Sequence, residues 1–198
     1  MIINTKSIVD IVESSLNKKI TDIDFNDLKS IKYLRICKIS FDDILNVDFS
    51  ELEYFPNIEE LSIEGCMIDY SVLDILEKLL NLKKISFIDC DFIDDSKEYF
   101  ESLDIEELVL NNVIGIEGVL FSNITKLIIV NMPINFNVKN INTLDVSRAD
   151  ISKVNLIEFQ IENLIINIKQ LTEDYFNFHY IVIIKNEFDE IIKVIKND

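Results

Sequence analysis

One apolar phrase recurs along this chain, with large aliphatic or aromatic residues at the first, fourth and sixth places of L-x-x-L-x-L and mostly polar residues between. It reads Ile31-x-x-Leu34-x-Ile36, Ile58-x-x-Leu61-x-Ile63, Leu82-x-x-Ile85-x-Phe87 and Ile105-x-x-Leu108-x-Leu110. Four more follow: Ile124-x-x-Leu127-x-Ile129, Ile141-x-x-Leu144-x-Val146, Ile161-x-x-Leu164-x-Ile166 and Phe178-x-x-Ile181-x-Ile183. Alternation at the fourth and sixth places is that of a short strand with one face buried, so each phrase predicts one strand. Units of this size cannot bury their apolar face alone and stack so that each covers its neighbour.

The segments between phrases predict the return path. Val72, Leu73, Ile75, Leu76, Leu79 and Leu80 follow helical spacing, as do Tyr99, Phe100 and Leu103. The early phrases are far enough apart for such helices, whereas the later ones leave room only for extended returns. Ile8, Ile11, Val12 and Leu16 form one helical stripe near the N-terminus, and Ile20 to Phe25 alternate as a short strand would. Residues 1–30 are therefore expected to form an N-terminal cap. Residues 31–186 carry about eight repeats. Phe188, Ile191, Ile192 and Ile195, beside Lys193 and Lys196, predict a C-terminal capping helix over 187–198.

This pattern resembles the bacterial leucine-rich repeat proteins over nearly the whole chain, and residues 20–36 look like the cap-to-first-repeat junction of internalin-like domains. The resemblance implies an α/β fold: a leucine-rich repeat solenoid with a parallel sheet on the concave face, helices or extended segments on the convex face, and helical caps. Members of that family usually carry Asn or Cys at the ninth place of the repeat; here it holds Ile39, Cys66, Cys90, Val113, Met132, Ala149, Lys169 and Asn186. The resemblance further implies a protein-binding module with no catalytic residues to carry over.

Composition narrows the function. The 198 residues are 48% hydrophobic and 28% charged, with three Gly and two Pro, which suits one domain without a flexible linker. The formal charge of -17 excludes mechanisms built on neutralising phosphate, so neither nucleic acid nor an anionic membrane is an expected partner. A basic protein is the partner such a field attracts. No apolar run reaches the roughly 18 residues of a membrane span. Asp10 and Glu13 interrupt the place where a leader would be continuously apolar, so a cytoplasmic location is expected.

Candidate chemistry is sparse. Cys66 and Cys90 share one repeat position and read as buried apolar thiols, because a metal site would need two further ligands at suitable spacing. Cys37 lies among outward positions without a nearby His, and the sole histidine, His179, lacks partners for a triad. The run Asp89, Asp91, Asp94, Asp95 fails as a calcium loop, with Asp94 where Gly is required and Phe100 where Glu is required. Gly115-x-x-Gly118 lacks the Lys of a phosphate loop and reads as a turn. No catalytic, cofactor or metal role is assigned, and the chain is not expected to be an enzyme.

The outward strand positions are the better candidates. At the third place stand Tyr33, Glu60, Lys84, Glu107, Lys126, Thr143, Asn163 and Tyr180, where alternating Glu and Lys predict a charge ladder across strands. At the fifth and seventh places Val109, Ile128, Val130, Ile165, Val182 and Ile184 gather in the later repeats. They predict either an exposed apolar interface, or β-branched residues that simply suit strands or are covered by the C-terminal helix. Together with Tyr33, Arg35 and Tyr180 they are the predicted partner-binding residues. The expectation is a non-enzymatic module that binds a protein through its concave sheet and neutralises a basic toxin or effector. The competing expectation is an exported host-directed effector or surface adhesin.

Overall fold

A computed structural model describes residues 3–37, 48–93, 99–100, 103–151, 161–170 and 181–196. Ile39, Asp94, Asp95, Phe178, His179 and Tyr180 lie outside the described residues. In chain order the elements are α1 (Lys6–Leu16), α2 (Phe25–Leu28), β1 (Tyr33–Cys37), β2 (Glu60–Glu64), β3 (Met67–Ile68) and α3 (Tyr70–Glu77). They continue through β4 (Lys84–Ile88), β5 (Asp91–Phe92), β6 (Ile105–Asn111), β7 (Leu120–Phe121), β8 (Ile124–Pro133) and β9 (Asn137–Val138). The last four are β10 (Ile141–Asp150), β11 (Ile161–Asn167), β12 (Ile181–Lys185) and β13 (Ile191–Ile195).

Nine of these strands form one sheet in the order β1-β2-β4-β6-β8-β10-β11-β12-β13, parallel throughout except for β13. The result is a β-solenoid. Each of the eight phrases supplies one parallel strand. Leu34, Leu61, Ile85, Leu108, Leu127, Leu144, Leu164 and Val182 align in one row across the sheet, and all are buried. That row is the spine of the core.

What turns the chain after β2, β4 and β6, and late in β8, is a residue in the left-handed region. Gly65, Asp89, Asn112 and Asn131 have φ of 66°, 51°, 51° and 53°, and each sits at the eighth place of its repeat. Gly adopts this conformation without cost, and Asn and Asp tolerate it best among the other residues. The corners stack: the Gly65 N–H donates to Ile88 O, Asp89 N–H to Asn111 O and Asn112 N–H to Val130 O, at 2.9 to 3.0 Å. Past each corner the ninth residue points inward, so Cys66, Cys90, Val113 and Met132 are buried. Cys90 Sγ contacts the Ile63 and Ile88 carbonyls at 3.4 Å, and burial pushes its thiol pKa up.

Beyond the corner, β3 and β5 pair in parallel, and Ile114 extends that ladder from Asp91. The return paths then diverge as their lengths require. α3 backs the repeat after β2, its N-terminus capped by Asp69 Oδ1 accepting from Val72 N–H at 3.1 Å. In the later repeats the returns are extended, β7 pairing with β9. Gly115 belongs to a turn with φ of 83°, where a Cβ would come within 2.0 Å of the Phe92 carbonyl oxygen. Stacked aromatic rings fill the space between: Phe100 contacts Phe92, Tyr99 and Phe121 at 5.1 to 5.3 Å between centroids, and Phe121 contacts Phe136 at 4.9 Å.

The two ends differ. α1 packs against β1 through the buried Ile8 and Val12, and the buried Glu51 carboxylate accepts from the Asn4 and Thr5 backbone N–H groups at the start of that helix. Residues Ile20–Asp22 form a 3-10 turn rather than the expected strand. Asp24 follows as the cap of α2, in a reciprocal capping box with Asp27. At the other end the expected capping helix over 187–198 is replaced by a hairpin that returns as β13 along β12. Ile191, Ile192, Val194 and Ile195 are all β-branched, which favours a strand. The Asn186 side-chain oxygen accepts from the Phe188 and Glu190 N–H groups, and Asp189 takes φ of 64°, which closes the turn.

Phe100 joins the helical and extended halves of the return path. Phe100→Ala should cost about 3 to 5 kcal/mol and Phe100→Leu about 1 kcal/mol in urea unfolding, while Leu80→Ala, at an exposed site, should cost under about 0.5 kcal/mol.

Candidate functional site

The outer face of the sheet is built from the residues between the buried ones. Its third-place row is mostly polar and paired at its centre: Glu107 binds Lys84 at 2.8 Å on one side and Lys126 at 3.0 Å on the other. Burial pushes the Glu107 pKa up, but the two lysines outweigh it and hold the carboxylate below its ordinary value. One place earlier Glu59 bridges Lys32 and Lys83, and Arg35 pairs with Glu64. The expected charge ladder is present, although Glu59 rather than Glu60 is the acid that bridges the lysines at the N-terminal end.

The fifth-place row crosses all nine strands as Arg35, Ser62, Ser86, Val109, Ile128, Asp145, Ile165, Ile183 and Val194. It changes character midway. Arg35 is exposed and ion-paired, while Val109, Ile128 and Ile183 are half-buried and Val194 is exposed. Asp145 is a buried acid in the middle of this apolar stretch.

A β-bulge brings Asp145 to its partners. The pairing of β10 with β8 slips by one residue between Asp145 and Arg148, so the strand carries an extra residue there. Asp145 Oδ1 then accepts from Ser147 N–H at 3.1 Å and from Ser147 Oγ at 2.6 Å, and Oδ2 accepts from Lys185 Nζ at 2.8 Å. The lysine reaches from β12 across β11. Burial pushes the Asp145 pKa up, yet the lysine and serine donors prevail and hold it below the ordinary carboxylate value. Gln170 satisfies the bulged backbone, its amide donating to the Val146 and Ala149 carbonyls at 2.9 and 2.8 Å. Asp189 in the hairpin turn lies 3.6 Å from Lys185 and 4.0 Å from Arg148, tying the turn to the bulge.

The predicted contact residues are thus redistributed. Tyr33, Arg35, Val109 and Ile128 stand on the outer face. Val130 and Ile165 belong to that face but are buried, at 7% and 9% exposure, beside the bulge. Val182 and Ile184 point inward, because β12 pairs with β11 as Leu164↔Val182 and Ile166↔Ile184. A one-residue slip exchanges the two faces of a strand, so Ile183 and Lys185 take the outer places expected for these two. Tyr180 lies outside the described residues. Asp145 and Lys185 went unrecognised as a pair: the lone acid between Ile128 and Ile165 was the available signal, and the slip concealed its lysine.

Among the described residues no group of three or more His, Cys, Asp or Glu side chains is placed to hold a metal ion, and no helix is long and apolar enough to cross a membrane. Neither a family model nor a curated protein matches the chain.

Because the Asp145 pKa is lower folded than unfolded, its contribution to stability is complete above the unfolded value near pH 4 and is lost as pH falls through the folded value. Asp145→Asn should therefore melt roughly 4 to 8 °C below the parent at pH 7, about 2 kcal/mol, with the gap closing below about pH 4. Lys185→Met should cost about 3 kcal/mol by stranding the buried carboxylate, and Asp145→Leu combined with Lys185→Met should recover most of that in the same melting series.

Proposed function

We propose that this solenoid is of the bacterial leucine-rich repeat kind and acts in the cytoplasm as a non-enzymatic module that binds a basic protein through the outer face of its sheet. The single observation that carries the reading is the apolar set Val109 and Ile128, Ile183 and Val194, partly exposed on either side of Asp145 on a nine-stranded face most of whose charged residues are paired. Apolar surface set in a polar frame is the usual form of a protein-binding patch.

Charge supports the division of labour. Most Glu and Lys residues of the face pair with each other, while Asp22, Asp24, Asp74, Glu77, Asp104 and Glu117 are exposed outside the sheet. The excess of 36 acids over 19 bases thus acts at long range and steers a basic partner, and the contact itself is made by aliphatic side chains. A toxin or effector neutralised by a stoichiometric partner fits this chemistry.

The test is capture from the native host with a tagged chain, comparing parent, Ile128→Asp, Ile183→Asp and the control Leu80→Asp, whose residue is 91% exposed away from the sheet face. The two face variants should lose the stoichiometric partner by about tenfold or more, with Leu80→Asp unaffected and all four melting alike. Equal capture by all four would rule out this face.

A further inference from the structure

At the N-terminal cap, three stretches of chain far apart in sequence enclose a cleft of about 350 Å³. Ile3 comes from the segment before α1, Ile20 and Ile23 from the 3-10 turn and the link that follows it, and Tyr54 from the end of the 3-10 helix Phe49–Tyr54. With Phe25 they give the cleft a largely apolar lining, in which Ile3 and Ile23 are buried and Phe25 is 46% exposed. This size, and an apolar and aromatic lining joined by a few polar groups, are those of a small-ligand site.

The polar groups are Thr21 and Asp24. The Thr21 hydroxyl donates to Asp22 at 3.0 Å. Asp24 caps α2, its Oδ1 accepting from the Asn26 and Asp27 N–H groups at 2.7 and 2.9 Å. Among the described residues no hydrogen bond or ion pair engages its Oδ2. Asp27 is already paired with Lys18 at 2.7 Å, so Asp24 is the acid left to act on the cleft. The Phe25 ring attracts cations as well, since Lys29 Nζ lies 4.9 Å from its centroid.

We infer that this cleft takes an alkylammonium group, the end of a lysine side chain or of a free aliphatic amine, with its methylene stem against the isoleucines and its charge at Asp24. The cleft shares no residue with the sheet face, so the inference does not rest on the function proposed for that face. Exposed Asp22 and Asp24, on a chain of net charge -17, repel an anionic ligand. A guanidinium fits less well than an ammonium. Its planar fork binds a carboxylate through both oxygens, and Oδ1 is committed to the helix, whereas a point charge needs only one oxygen. Lys29 is the internal rival for the same aromatic ring.

Amide NMR titration of the full chain with pentylamine should give saturable shifts at Thr21, Ile23, Phe25 and Tyr54, with pentanol binding about fivefold or more weakly. Asp24→Asn removes the charge but keeps the cap, because Asn caps a helix as well as Asp does. It should melt with the parent and bind pentylamine about fivefold more weakly, while Asp74→Asn on α3 leaves binding unchanged. Lys29→Met should tighten binding about twofold. Lysine blocked at both its α-amino and carboxyl groups distinguishes the sources: binding as tight as that of pentylamine assigns the cleft to a protein lysine, and binding of pentylamine alone assigns it to a free amine. Equal affinity for pentylamine and pentanol, or an Asp24→Asn variant that binds pentylamine as the parent does, would overturn the inference.

Discussion

The constraint on which this structure depends is the corner at the eighth place of the repeat. A strand whose inner residues are fully buried must end by turning its next side chain into the same core, and a backbone at positive φ does this in one step. Gly65, Asp89, Asn112 and Asn131 hold that conformation, and the N–H groups of the first three join the corners into a ladder. With the corners stacked, the β3 and β5 ladder forms beyond them, and the ninth residues close the interior without any disulfide among the three free cysteines.

The same constraint explains where the outer face becomes irregular. At the equivalent place in β10 stands Arg148, which has no positive φ, and the strand inserts an extra residue instead of a corner. The bulge draws Asp145 and Ser147 out of solvent. A buried carboxylate there needs donors, and Ser147 and Lys185 provide them. Ile165 is buried beside this pair, which leaves Val109 and Ile128 on one side of it and Ile183 and Val194 on the other as the partly exposed apolar surface. A change in corner chemistry thus sets the shape of the face proposed to bind protein.

Much of this architecture was legible because burial imposes a period. The row from Leu34 to Leu164 follows directly from the fourth place of each phrase, and the shift from α3 to the extended β7 and β9 returns follows from the shrinking distance between phrases. Where apolar residues become continuous the period vanishes. Ile181-Val182-Ile183-Ile184 satisfies the phrase in either of two registers, so only the pairing with β11 decides which residues face inward. Ile191 to Ile195 is ambiguous in the same way, since a dense apolar run matches helical spacing as readily as strand alternation. The corner residues were readable in principle: Gly, Asp, Asn and Asn at one repeat position are the residue types that tolerate positive φ.

The solenoid is polar in its organisation, and its two ends are closed in different ways. At the first strand, Glu51 holds the start of α1 while that helix packs on β1, so the core there ends in an element with its own backbone hydrogen bonds satisfied. At the last strand the core ends in β12, and β13 covers its edge only by creating another edge. Antiparallel return is the shortest way to terminate a parallel stack, needing only the turn at 186–190, whereas a helix would need a longer crossover to reach the same edge. The cost of that economy is an exposed strand carrying Ile191, Ile192 and Val194.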